Sequence, residues 1–111
     1  MNLLFVCSKN RQRSPTAAHV VANDPEFADA GYEALSAGLN ADSDTPLTPD
    51  LIRWADVVLV MEPGQRTRLS RRFRAHLRGK RVVCLSVPDR FEVLDPELIE
   101  LLRRRLRQHL R

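Results

Sequence analysis

Four short apolar runs punctuate this chain, and polar or charged stretches separate them. Leu3-Leu4-Phe5-Val6 follows one polar residue and predicts a buried strand over Asn2–Val6. Tyr32–Ser36 predicts a second, weaker strand closed by Ala37-Gly38, Asp56–Met61 a third, and Arg81–Val87 a fourth. Helix starts are marked by proline after a capping residue. Ser14-Pro15 predicts a cap and first-turn proline for a helix to Ala22, and Thr48-Pro49-Asp50 does the same for a short helix to Trp54. Glu62-Pro63 opens a basic helix that Gly79 ends. Asp95-Pro96-Glu97 caps a last amphipathic helix, with Leu98, Ile99, Leu102, Leu106 and Leu110 along one stripe. Apolar strands without in–out alternation, interleaved with helices, predict an α/β fold whose mostly parallel sheet is buried on both faces.

The length of 111 residues suits one core, so a single domain over 1–111 is expected. No apolar run approaches the ~20 residues of a membrane span, and the apolar start lacks a basic leader and a small-residue cleavage site. A cytoplasmic protein without membrane contact is the expectation. Its two cysteines, Cys7 and Cys84, are then expected to be free thiols, and one in a special context becomes a candidate nucleophile. Cys84, mid-strand between Val83 and Leu85, reads as core. His19, His76 and His109 show no ligand spacing, so no metal and no other cofactor is expected.

The formal net charge is +4, and 16 of the 18 basic residues are arginine. Such a balance permits an anionic partner, but much of it lies in Arg66–Arg78 and Arg103–Arg111, where a solvated helix face is the simpler reading. Charge alone decides nothing here.

Ligands of open α/β sheets bind beyond the carboxyl ends of the strands. Cys7 lies there, and between it and the first helix runs Ser8-Lys9-Asn10-Arg11-Gln12-Arg13-Ser14. A tightly wrapped loop of this length turns successive N–H groups inward as an anion nest, with the positive helix end behind it. The same field favours a thiolate at Cys7. Arg13 supplies a planar fork for two phosphate oxygens, which lysine cannot. Ser14 is expected to donate to the Cys7 sulfur, and Asn10 tolerates the left-handed backbone the loop requires. Arg11 either meets a phosphopeptide or faces water. The Cys-to-Arg spacing is weak in so arginine-rich a chain; the strand before it and the Ser-Pro helix start after it make it specific.

Leu3-Leu4-Phe5-Val6-Cys7 through Arg13-Ser14-Pro15 resembles the active-site loop of the low-molecular-weight protein tyrosine phosphatases, and a compact bacterial branch above all. Ser36-Ala37-Gly38 resembles that family's second-strand motif, Trp54-Ala55-Asp56-Val57 to Met61 its third strand, and Val87-Pro88-Asp89-Arg90-Phe91 its acid loop. The resemblance implies a three-layer sandwich with strand order 2-1-3-4 and helices on both faces. It also implies a hydrolase that cleaves phosphate monoesters, protein phosphotyrosine first among them, or a small phosphate ester. Cys7 would attack phosphorus, the loop from Ser8 through Lys9, Asn10, Arg11 and Gln12 to Arg13 would hold the oxygens, and Asp89 would act as acid and then base. Asp95 competes for the acid's place, but its position before Pro96 has the plainer explanation of a helix cap. Ser36 is expected to brace Asn10. Two departures stand out: Lys9 replaces a usual glycine, and Gln12 replaces the second cysteine of many members. Two other readings remain. An arsenate reductase of the same fold would need a relay cysteine, for which only Cys84 is present. A catalytically weak phosphate- or nucleic-acid-binding module would use the arginine-rich helices. Nucleic acid is a disfavoured partner because Cys7, Arg13, Ser14 and Asp89 are all present, and a binder without turnover has no need of the acid.

Overall fold

Five consecutive residues of β1 (Asn2–Cys7), Leu3 to Cys7, are buried, which makes this strand the centre of the computed structural model; the structure describes residues 1–110. Chain order continues with α1 (Arg13–Asn23), α2 (Pro25–Ala28), β2 (Glu33–Gly38), α3 (Pro49–Trp54), β3 (Val57–Val60), α4 (Pro63–Phe73), a 3₁₀ turn over Arg74–Leu77, β4 (Arg81–Cys84) and α5 (Pro96–His109). The four strands are parallel in the order β2-β1-β3-β4, as expected.

Alternation along β1 divides the core in two. Leu3, Phe5 and Cys7 face one layer, packing with Leu59 of β3, Val20 and Val21 of α1, and Leu98, Leu102 and Leu106 of α5. Leu4 and Val6 face the other, with Val58 and Val60 of β3, Ile52 of α3, and Leu69 and Phe73 of α4. Burying each large aliphatic or aromatic side chain contributes about 1.5–3 kcal/mol, so the pattern that makes β1 apolar throughout also requires helices on both sides.

Element ends depart from the sequence expectation in instructive ways. β2 runs two residues further because its register matches all of β1, from Asn2 opposite Glu33 to Cys7 opposite Gly38. β4 stops at Cys84, although the N–H groups of Leu85 and Val87 still donate to Val60 and Met61 at 2.9 Å. Ser86, with φ +55°, turns the chain there. Ser14 is not a helix cap: α1 already begins at Arg13, and Gln12 precedes it without a side-chain capping bond. Thr48 and Asp95 do cap, accepting from the N–H groups of Leu51 (3.3 Å) and Glu97 (2.9 Å).

The register also separates the two thiols. Cys84 lies opposite Val60, which lies opposite Val6, and Cys84 packs on the second layer while Cys7 packs on the first. Two strand spacings are roughly 10 Å, beyond the ~7 Å Cα separation a disulfide spans.

Candidate active site

Cys7 ends the central strand and is 4% exposed. The residues after it curl back, and the N–H of Asn10 donates to the Cys7 Sγ at 3.2 Å. Asn10 holds φ +58°, the left-handed conformation that its short polar side chain tolerates better than most. Cys7, Ser8, Lys9, Arg11, Gln12, Arg13 and Asp89 line one cavity of about 180 Å³ at the carboxyl end of the sheet. Thiol, loop, guanidinium and carboxylate therefore meet at one place.

Arg13 is nearly enclosed, with 5% of its side chain exposed. Its Nη1 donates to the Val87 carbonyl at 2.9 Å and lies 3.2 Å from Glu62 Oε2. Its Nη2 lies 3.8 Å from Asp89 Oδ2. A buried guanidinium is stable only when its donors are satisfied and its charge is met. Here the two carboxylates, each partly in solvent, meet that need. Asp89 is 61% exposed, which leaves its carboxyl free to meet a substrate's leaving group. Asp95 is occupied at the start of α5 and does not line the cavity.

The wall behind the loop comes from three other segments. Ser43 donates to the Lys9 carbonyl at 2.8 Å, and Lys9 Nζ pairs with Asp42 at 3.6 Å. Gly38 makes that brace possible, since a Cβ there would come within 2.6 Å of the Ser43 Cβ. Ser8 Oγ accepts from Gln65 Nε2 at 3.4 Å and from Arg68 Nη1 at 3.3 Å. Gln65 is in turn fixed by the N–H groups of Met61 and Glu62, at 2.9 and 3.1 Å. Gln12 turns its carbonyl to the N–H and hydroxyl of Thr16, which ties the loop to the first turn of α1.

Two supporting roles expected from the sequence take a different form. Ser36 does not brace Asn10: it lies opposite Phe5, two positions short of the sheet's end, about 7 Å back along the strand. Ser43 braces the loop instead. Ser14 makes no hydrogen bond to Cys7; its buried hydroxyl has no partner among the described residues, and neither has Asn10 Oδ1. Glu62, Gln65, Ser43 and Arg68 were not legible as site residues. The only signal was Glu62-Pro63-Gly64-Gln65, which reads as a helix start; its position at the carboxyl end of the strand beside β1 also puts a carboxylate within reach of Arg13.

Among the described residues no group of histidine, cysteine or carboxylate side chains is arranged to hold a metal ion, and no helix is long and apolar enough to cross a membrane.

With a four-stranded parallel 2-1-3-4 sheet and a cysteine loop at its carboxyl edge, the chain has the fold of the low-molecular-weight protein tyrosine phosphatases, and its neighbours among solved structures are bacterial members of that class. A YwlE mutant from Bacillus subtilis superposes with a TM-score of 0.75 at 26% identity, covering 100% of this chain and 99% of its own. A mutant YwlE arginine phosphatase with a phosphorylated active site serine superposes at 0.71, with 25% identity over 98% and 97% of the two chains. The tyrosine phosphatase Wzb from Escherichia coli K30, in complex with phosphate, matches at 0.72 over 96% and 94%, and at 22% identity it attests the fold alone. No protein-family model matches the sequence, and no curated protein matches it significantly. The neighbours support a cysteine-based phosphatase.

Proposed function

We propose that this protein hydrolyses phosphate monoesters, with protein phosphotyrosine as the principal substrate class, through a phosphocysteine on Cys7. The observation that carries the reading is the single cavity shared by the Cys7 thiol, the loop after it, Arg13 and Asp89. In the first step the Cys7 thiolate attacks phosphorus, the bond to the leaving oxygen breaks, and Asp89 gives that oxygen its proton. Water then attacks the phosphocysteine, Asp89 takes back a proton, and the sulfur leaves as thiolate with inorganic phosphate released. Phosphoryl transfer spreads charge over the equatorial oxygens, so prearranged donors supply most of the rate. The loop N–H groups and the Arg13 fork are those donors, and the Asn10 N–H already directed at sulfur stabilises the thiolate that attacks and leaves.

A second reading, phosphoarginine hydrolysis, is suggested by the name of the YwlE neighbour. Arg11 weighs against it. It lines the cavity, is exposed, and pairs with no carboxylate among the described residues. A phosphoarginine would bring a cationic guanidinium to this rim, whereas a phosphotyrosine brings a neutral ring.

The test is turnover of p-nitrophenyl phosphate. Wild type should hydrolyse it with vanadate inhibition, Cys7→Ser should be inactive, and Asp89→Asn should lose about a hundredfold or more in kcat. Absence of turnover by wild type from acidic to neutral pH overturns the reading.

A further inference from the structure

No carboxylate occurs between residues 63 and 88, whereas eight cations do, seven of them arginine. With a formal net charge of only +4, the rest of the chain is net acidic, so the positive field is concentrated on α4, the turn after it and the start of β4. None of the eight forms an ion pair among the described residues. Five of them separate into two stripes, while Arg66, Lys80 and Arg81 bond to backbone carbonyls. Arg68 and Arg72 are one turn apart: Arg68 reaches Asn40 and Ser8, which lines the Cys7 cavity, and Arg72 reaches the Leu39 carbonyl. Arg71, Arg74 and Arg78 turn outward, make no hydrogen bond among the described residues, and line an open cavity of about 770 Å³ with Leu77.

We propose that this arginine face docks an acidic polypeptide segment flanking the phosphorylated residue of a protein substrate; the proposal rests on the phosphatase reading above. Arg68, whose guanidinium touches the first loop residue after the nucleophile, precedes Arg71 by less than one helical turn, so the outward stripe begins close to the active site. From Arg66 to Arg78 the helix and its 3₁₀ end span roughly 20 Å, the length of about six extended residues. Guanidinium forks match carboxylates in pairs. Nucleic acid fits the face less well. Proteins that bind single strands add aromatic platforms to their charge, and Phe73, the aromatic residue of α4, is buried beneath the Arg72 guanidinium.

The experiment compares kcat/KM for two phosphotyrosine peptides, one with six flanking glutamates and one with six glutamines, at low and high salt. The enzymes are wild type and an Arg71→Gln, Arg74→Gln, Arg78→Gln triple variant. At low salt the acidic flank should raise kcat/KM of wild type about tenfold. That advantage should vanish in the triple variant and shrink at high salt, with p-nitrophenyl phosphate turnover equal in both proteins. No preference in wild type, or an undiminished preference in the variant, overturns the proposal. So does tighter binding of a single-stranded oligonucleotide than of hexaglutamate to the same face. If wild type fails to hydrolyse p-nitrophenyl phosphate, the phosphatase reading falls by itself. Anisotropy of a labelled hexaglutamate peptide then decides the docking face: binding lost in the triple variant supports it, and binding absent in wild type or retained in the variant overturns it.

Discussion

Glu62 and Asp89 approach the same buried guanidinium from two sides, but their exposure and bonding assign them different work. Glu62 lies 3.2 Å from Arg13 and also joins α4 in a reciprocal cap with Gln65. It is a positioning residue. Glu62→Gln keeps a hydrogen-bond acceptor but removes the charge that meets Arg13, so its p-nitrophenyl phosphate kinetics should fall between wild type and Glu62→Ala. Glu62→Ala removes both, so KM should rise, vanadate inhibition should weaken, and stability should fall by about 1 kcal/mol. Equal behaviour of the two variants would deny Glu62 that role. Asp89 and Asp95 separate just as cleanly. Asp95→Ala should cost about 0.5–2 kcal/mol in denaturant unfolding for a lost cap, with turnover by the folded protein retained, whereas Asp89→Asn should lose turnover in a protein that still folds. If Asp95→Ala destroys activity in a folded protein, the assignment of the acid is reversed.

Residue type made the loop from Cys7 to Arg13 legible, because a thiol, a left-handed asparagine and a guanidinium each carry their chemistry wherever they lie. Ser43, Glu62 and Gln65 carry theirs only through distant placement. Ser43 lies 34 residues from the carbonyl it holds. A serine in a polar loop has no signature for such a task, whereas Ser36 belongs to a recognisable strand motif.

At the scale of elements, the apolar runs and proline-marked starts were enough to place every strand and the four longer helices. The ends were less legible, because the lengths of β2 and β4 are set by register against neighbours rather than by their own residues. The arginines of α5 show how tertiary pairing adds what periodicity cannot. Arg103 bonds to Asp24 at 2.6 Å and Arg107 forks onto Glu26, joining α5 to the start of α2. The Asp24 carboxyl is held below the ordinary range, chiefly by the N–H of Glu26 and also by Arg103, and Arg107 does the same for Glu26. A lowered carboxyl in the folded state contributes stability that is present above its unfolded value, about 4, and is lost as pH falls through the lower folded value. Asn replaces Asp well as a helix cap, so Asp24→Asn isolates the charge. Its Tm should lie below wild type near neutrality and converge with it as pH falls below about 4. A constant gap across that range would refute the ionic account.

For the molecule as a whole, the decisive feature is a sheet with two buried faces. One face carries Cys7 with α1 and α5, and the other carries Cys84 with α3 and α4. The second thiol therefore lies on the wrong side of the sheet for a relay with the first, which weighs against arsenate reduction through Cys84. Net charge was legible from composition, but its segregation was not: only the packing of α4 and the turn after it shows that Arg68 reaches the catalytic loop, Arg72 the Leu39 carbonyl, and Arg71, Arg74 and Arg78 the outer surface. In the proposed reaction the phosphoryl group is carried on the Cys7 sulfur. Asp89→Asn should slow hydrolysis of the intermediate, so a sample quenched during turnover of p-nitrophenyl phosphate and mapped by peptide mass spectrometry should hold one phosphoryl group on Cys7. A phosphoryl group on any other residue, or steady turnover by Cys7→Ser, would contradict it.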